Sequence, residues 1–225
     1  MNSSHPENNL FYFLAMIQIT LMLAAAVIIY KMININGIIF SAGSFIIPLA
    51  HVCLDIICER YGLKMAKKVI IASLFCQFMF AVICKLLIIL PSPDSWHYQP
   101  AYDQVLGRLD RIFIGSFVGT LLGSFLNAKI ISRWKILIKG RKFWLRSIGA
   151  SAMGQFIFTI ITLSYDLYGI QPYNTILSAI FTSYTIKLIF TPIAAIPAAI
   201  IVLILKKYEK IPNYAFSFNP FKNEK

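Results

Sequence analysis

PLAHVCLDIICERYGLKMAKK, residues 48–68, decides how the rest of the chain is read. It places His51, Asp55 and Glu59 at steps of four inside a sequence that is 58% hydrophobic and only 13% charged. A step of four on a helix advances about 6 Å and turns the side chain by only ~40°, so the three groups share one stripe. The first part of this stretch is apolar enough to lie within a membrane, where a carboxylate costs roughly 2.5–3.5 kcal/mol on insertion scales. Such a cost marks a site, and Asp55, one turn deeper than Glu59, is its strongest member. Glu59 sits beside Arg60, where an interface would solvate it.

The remainder supports a membrane setting. The chain has 225 residues with a net charge of +12, a mean hydropathy of +0.72, and apolar runs of about 20 residues, the length that spans a bilayer as helix. No segment alternates with period two over barrel length, so the fold class is an all-α integral membrane protein. The basic residues cluster in short loops between apolar runs, as an orientation signal requires, and nucleic acid is not a partner. Cys53, Cys58, Cys76 and Cys84 show no CxxC spacing and read as small packing residues. The N-terminal apolar run is too long for a signal-peptide core, so the first span is expected to be kept. The C-terminus shows no lipidation box.

Six spans are drawn: Leu10–Tyr30, Ile38–Cys58, Val69–Leu90, Ile112–Ile131, Ile148–Gly169 and Ile176–Leu205. Residues 10–205 form one transmembrane domain between a short N-terminal tail, 1–9, and a basic tail, 206–225. Arg60, Lys64, Lys67 and Lys68 follow the second span; Arg133, Lys135, Lys139, Arg141, Lys142 and Arg146 follow the fourth; Lys206, Lys207 and Lys210 follow the sixth. Every strongly basic loop follows an even-numbered span, which puts both termini in the cytoplasm. The opposite loops are poorer in net positive charge: Lys31 follows the first span, Arg108 and Arg111 stand with Asp94, Asp103 and Asp110, and Asp166 follows the fifth. The long outer loop carries Trp96, Tyr98 and Tyr102, read as an interfacial aromatic belt in preference to a lid over a pocket.

Gly43 and Pro48 interrupt the second span, and Pro192 and Pro197 the sixth. Carbonyls freed in a membrane need partners from protein or a wet cavity, so a kink near a cavity is expected. Gly115, Gly119 and Gly123 lie at steps of four in the fourth span, flanked by Ser116, Thr120, Ser124 and Asn127. Small residues so spaced let backbones approach. Packing within the bundle is the first reading of this face and a homodimer seam the second. Ala194, Ala195, Ala198 and Ala199 make a similar face in the sixth span.

Further polar groups at membrane depth are Gln77, Lys85, Asn127, Gln155 and Lys187. Lys85 lies near an outer end and snorkels; Lys187 either snorkels or pairs with a carboxylate across the bundle. His51, Asp55 and Glu59 spread over ~12 Å of helix, too far to close on one metal ion without a bend. No nucleophile elbow, HExxH or phosphate loop is present, no cofactor is implied, and an enzyme has no positive support.

Taken together, Pro48-Leu49, Asp55, Glu59 and Tyr61-Gly62 resemble the signature of the queuosine precursor transporters, a group of vitamin-uptake-transporter-like membrane proteins. The resemblance continues through Tyr102, Val105-Leu106-Gly107, Arg111, Ser116 and Asn127, then Lys139-Gly140-Arg141, Trp144-Leu145-Arg146, Ile148-Gly149, Gly154-Gln155, Lys187 and Thr191-Pro192. It covers most of the chain from Pro48 to Pro192. His51 stands where the family usually has Tyr, Ala50 and Leu54 where it has Thr, and Phe158 where many members carry Asp; these departures bear on substrate choice.

The resemblance implies a six-helix bundle similar to substrate-capture components, and import of 7-cyano-7-deazaguanine, its 7-aminomethyl relative or queuine across a bacterial inner membrane. The residues suit that cargo. A guanine-like edge offers two adjacent donors, which a carboxylate accepts together. Asp55 or Glu59 is expected to read them, with Gln155 or Asn127 on the ring carbonyl and Lys187, His51 and Gln77 completing the site. The competing reading, from the similar six-span layout, is the substrate-binding subunit of an energy-coupling-factor importer, with the glycine and alanine faces as docking surfaces.

Overall fold

The computed structural model describes residues 6–29, 31–35, 38–107, 109–139 and 141–208. The tails at 1–5 and 209–225, and with them Lys210, lie outside the described residues, as do Tyr30, Arg108 and Gly140. The elements are α1 (Pro6–Ile28), a hairpin of β1 (Met32–Ile35) and β2 (Ile38–Ser41), α2 (Gly43–Ile88), α3 (Gln99–Val105), α4 (Leu109–Leu137), α5 (Phe143–Leu167) and α6 (Tyr173–Tyr208). Five of the six helices are long and apolar enough to cross a membrane.

The expected second and third spans are one continuous element. α2 has 46 residues, which drawn straight would measure ~69 Å, more than twice a hydrocarbon core of about 30 Å. It leaves helical geometry at Gly62 (φ 83, ψ 169), a backbone conformation that is essentially reserved for glycine. The packing of α1 shows the result. Near its start, Phe11 meets Tyr61 edge-on with ring centroids 5.1 Å apart, and Cys53 Sγ donates to the Leu14 carbonyl at 3.2 Å. Near its end, Ala25 packs with Ile47 and Ala26 against the cluster of Ala81, Leu109 and Ile112. Residues 47 and 81 therefore lie at the same level, and the two arms of α2 run back past each other.

Two expectations are corrected. The first arm begins at Gly43, because Ile38–Ser41 pairs with Met32–Ile35 as a strand, so Gly43 opens the helix and does not interrupt it. α2 also runs through Pro48, and α6 through Pro192 and Pro197, without ending. Proline still acts locally: Pro48 has no N–H to give the carbonyl of Ser44 one turn earlier.

The glycine stripe of α4 is spent on α5. A Cβ on Gly123 would stand 2.6 Å from the Gly154 carbonyl oxygen, and one on Gly119 2.5 Å from Thr162 Oγ1. Intramolecular packing, the first reading of this face, is what the structure shows. The alanine face of α6 is likewise taken up: Ala194, Ala195 and Ala198 are buried in the main core with Val52, Ile57, Ala128 and Ala150. α3 buries none of its residues, and Trp96 packs with Tyr98 and Tyr102 on the surface.

The start of α1, the Gly62 break and the α4–α5 turn gather at one end of the bundle, joined by Phe11–Tyr61 and by Lys135 and Arg146 on Glu59. Hence the basic residues that follow Glu59 and those around the α4–α5 turn share one face. The hairpin, α3 and the start of α6 lie towards the other.

Candidate functional site

Asp55 projects from the first arm of α2 into the bundle and is wholly buried. Its Oδ1 accepts from Asn127 Nδ2 at 2.6 Å; its Oδ2 accepts from Ser147 Oγ at 2.5 Å and Ser151 Oγ at 3.2 Å. Three neutral donors from α4 and α5 thus replace water around the carboxylate, as burial of a charge demands. The Oδ1 of Asn127 is buried with no partner of its own. An acceptor beside a filled carboxylate has spare capacity for an N–H.

One turn along α2, Glu59 is buried rather than solvated. Its Oε2 lies 3.0 Å from Arg146 Nη1 and 3.8 Å from Lys135 Nζ, and Lys135 also donates to the Glu59 carbonyl at 2.6 Å. Arg146, counted above with the basic loop, is fully buried, because α5 starts at Phe143, five residues before the expected start of the span.

Two turns beyond Ser147 on α5, Gln155 Nε2 donates to Thr191 Oγ1 at 3.1 Å. Thr159 donates to the Gln155 carbonyl at 2.6 Å and accepts from Lys187 Nζ at 2.9 Å. Lys187 therefore turns inward, and neither of its expected roles holds. It does not snorkel, and among the described residues no carboxylate lies within ion-pair distance of it. Its Nζ instead stands 5.0 Å from the centroid of Phe158, whose ring is met edge-on by His51 at 6.5 Å. His51 is buried and its Nδ1 has no hydrogen-bond partner.

The structure brings Asp55, Asn127 and Glu59 to one end of a polar seam, and Gln155, Lys187 and His51 to its middle. Gln77 is not among them. It sits in the second arm of α2 and spends its amide on the carbonyl and hydroxyl of Ser73 in its own helix, at 3.3 and 3.4 Å. The seam follows α5 through buried Ser147, Ser151, Gln155, Thr159, Thr162 and Asp166, a rise of ~28 Å that nearly matches a hydrocarbon core. Beside it runs a crevice lined by Ser44, Ile47, Phe158, Thr159, Thr162, Ser183 and Lys187. The space in it open to the centre of a water molecule is about 10 Å³, roughly one water's worth, so the site is closed around itself.

Ser147, Ser151, Thr159 and Ser183 were not singled out from the sequence, and Thr191 only as part of the family resemblance. The signal was there: Ser147-Ser151-Gln155-Thr159 and Ser183-Lys187-Thr191 are polar at steps of four in otherwise apolar helices, the same periodicity that exposes His51-Asp55-Glu59.

A bundle of long apolar helices enclosing a hydrogen-bonded polar seam is the build of a membrane transporter. The particular family follows from comparison. Residues 41–202 match the family described as "Putative vitamin uptake transporter", and the chain belongs to it. It is a family of transporters, not of enzymes. Over 160 residues, 71% of this chain and 70% of the relative, the chain is 22% identical to the "Probable queuosine precursor transporter" of Bacillus subtilis (strain 168). No solved structure matches.

Proposed function

We propose that this chain carries a queuosine precursor, a 7-deazaguanine base, across a bacterial inner membrane for salvage into tRNA modification. The observation that carries the reading is Asp55: a fully buried carboxylate whose partners are an amide and two hydroxyls, all neutral and all exchangeable. A base presenting N1–H and an exocyclic amine can take the place of two such donors at little net cost, because one set of charge-assisted hydrogen bonds replaces another. Asn127 and Gln155 supply amides for the rest of the edge. Rejection of bases without that edge follows, since they would leave Asp55 short of donors. The resemblance at Pro48–Gly62 and the named relative support the same cargo.

In this reading both arms of α2 cross the bilayer, giving six spans, and the face carrying the basic turns is cytoplasmic. The test is binding and uptake in liposomes containing only this protein. Asp55→Asn should weaken deazaguanine binding by about tenfold or more, the worth of one charge-assisted pair. Unchanged binding and uptake would remove Asp55 from the site. Tight binding without accumulation or exchange would mark a substrate-capturing subunit instead of a carrier.

A further inference from the structure

Asp55 accounts for one end of a bound base; the crevice two turns along α5 accounts for the other. Lys187 is 3% exposed. It has three N–H donors, of which one goes to Thr159 Oγ1; its Nζ also stands 5.0 Å from the centroid of Phe158, on whose edge His51 packs. The remaining lining of the crevice is hydroxyl and hydrocarbon: Ser44, Thr162, Ser183, Ile47 and Phe158. Of the buried acids, Asp55 is committed to Asn127, Ser147 and Ser151 and Glu59 to Arg146 and Lys135, while Asp166 lies about two turns beyond Thr159 on α5, against Gly115 of α4. An amine so placed is completed by an acceptor atom brought from outside.

We propose that Lys187 is the specificity-determining residue at the far end of the ligand, holding a substituent that accepts a hydrogen bond and refusing one that carries positive charge. The proposal rests on the base-reading role of Asp55 given above. The hydroxyls holding the two groups, Ser151 for Asp55 and Thr159 for Lys187, lie eight residues apart on one helix, or ~12 Å. Asp55 and Lys187 each lie one hydrogen bond from these hydroxyls, a separation of the order that a fused bicyclic base with its substituent, hydrogen-bonded at each end, would bridge. A deazaguanine with its donor edge on Asp55, turned so that its obliquely set 7-substituent runs along α5, brings that substituent to Lys187. A nitrile there offers a lone pair to the amine, whereas an aminomethyl ammonium sets like charge against like in a buried crevice.

The experiment compares 7-cyano-7-deazaguanine with 7-aminomethyl-7-deazaguanine by titration calorimetry on the full-length protein in nanodiscs. The expected result is that the cyano base binds at least about tenfold tighter. Lys187→Met, close in length and uncharged, should bring the ratio near one, chiefly by tightening the aminomethyl base. Lys187→Gln keeps a donor without the charge; it should also level the ratio while retaining more of the cyano affinity, and it carries the test if the Met variant does not fold. Equal binding of the two bases to the unaltered chain, or a ratio that neither variant moves, overturns the role of Lys187 and leaves Asp55 untouched. Binding of neither base sinks the substrate class and this proposal with it.

Discussion

Glu59→Met should cost more stability than Arg146→Met, although the two residues are partners in one ion pair. Breaking a buried pair by removing one member costs about 3–5 kcal/mol, because an uncompensated charge is left behind. Here the two leftovers differ. Without Arg146, Glu59 keeps Lys135, with Nζ 3.8 Å from its Oε2 and bound to its carbonyl. Without Glu59, the fully buried guanidinium retains the carbonyls of Arg141 at 3.1 Å and Ile131 at 3.4 Å and the Phe143 ring, but among the described residues no carboxylate within ion-pair distance, Asp55 acting on it only from farther off. The first loss belongs near ~3 kcal/mol and the second near ~5. At about 2–4 °C per kcal/mol for a chain of this size, these become drops of roughly 6–12 and 10–20 °C in Tm. The double variant should fall short of the sum, since it strands no buried guanidinium and Lys135 is partly exposed. Thermal unfolding of the four full-length proteins in one detergent completes the cycle. A smaller loss for Glu59→Met than for Arg146→Met, or strict additivity, would refute the assignment of Arg146 to a buried pair with Glu59.

Three further outcomes are expected. Gly154→Ala puts a Cβ 2.7 Å from the Gly123 carbonyl and 2.8 Å from Asn127 Cβ; it should cost about 1–3 kcal/mol through overpacking and weaken ligand binding by shifting Asn127 off Asp55, both read in one thermal-shift series with and without base. Gly62→Ala meets nothing within 4 Å, so its loss of about 1–3 kcal/mol should be purely conformational, and an unchanged Tm would show that the break does not depend on a left-handed residue. Gln77→Leu should leave base affinity within about twofold, because no ligand contact is lost and one local hydrogen bond is worth only about 1 kcal/mol; a tenfold loss by calorimetry would return Gln77 to the site.

What could be read from residues alone follows from how each residue announces itself. Asp55 and Asn127 are conspicuous because a polar group in an apolar run is costly, and both turn out to bind each other. Gln77 is just as conspicuous and is a local matter, because its own helix supplies a partner at Ser73. Polarity at depth signals that a partner exists, not where it lies. Arg146 is hidden for the opposite reason. Among Lys139, Arg141 and Lys142 it looks like one more cytoplasmic charge, and only the early start of α5 carries it under Glu59. Gly115, Gly119 and Gly123 marked a close approach without naming the partner, since spacing describes one surface and packing needs two. Gly62 lay in plain view after Glu59-Arg60-Tyr61, yet the two expected spans joined there are one helix with a single-residue break, a connection far shorter than the loop drawn between Cys58 and Val69.

The two ends of the seam are closed by forces of different strength, and that difference gives the site a direction. At the Glu59 end, opening must separate a buried ion pair, the Lys135 bond to the Glu59 carbonyl and the weak Cys58 bond to the Ala128 carbonyl. It would expose a guanidinium that has no second ion-pair partner among the described residues. At the Ser44 end, the walls are hydroxyls, hydrocarbon and one ammonium, none of them joined to another across the crevice by a charge pair, and Pro48 has already removed a helix bond from Ser44. Separating such groups costs their dispersion contacts and hydrogen bonds to neutral acceptors, Lys187 to Thr159 and Ser41 to Ile29, and no ion pair. The chain is thus locked towards its basic face and latched towards the hairpin, and a ligand entering from the hairpin side would meet Lys187 before it meets Asp55. On the proposed roles of Lys187 and Asp55, recognition in that order would filter the substituent first and read the base edge second, with the Glu59–Arg146 pair shut behind it.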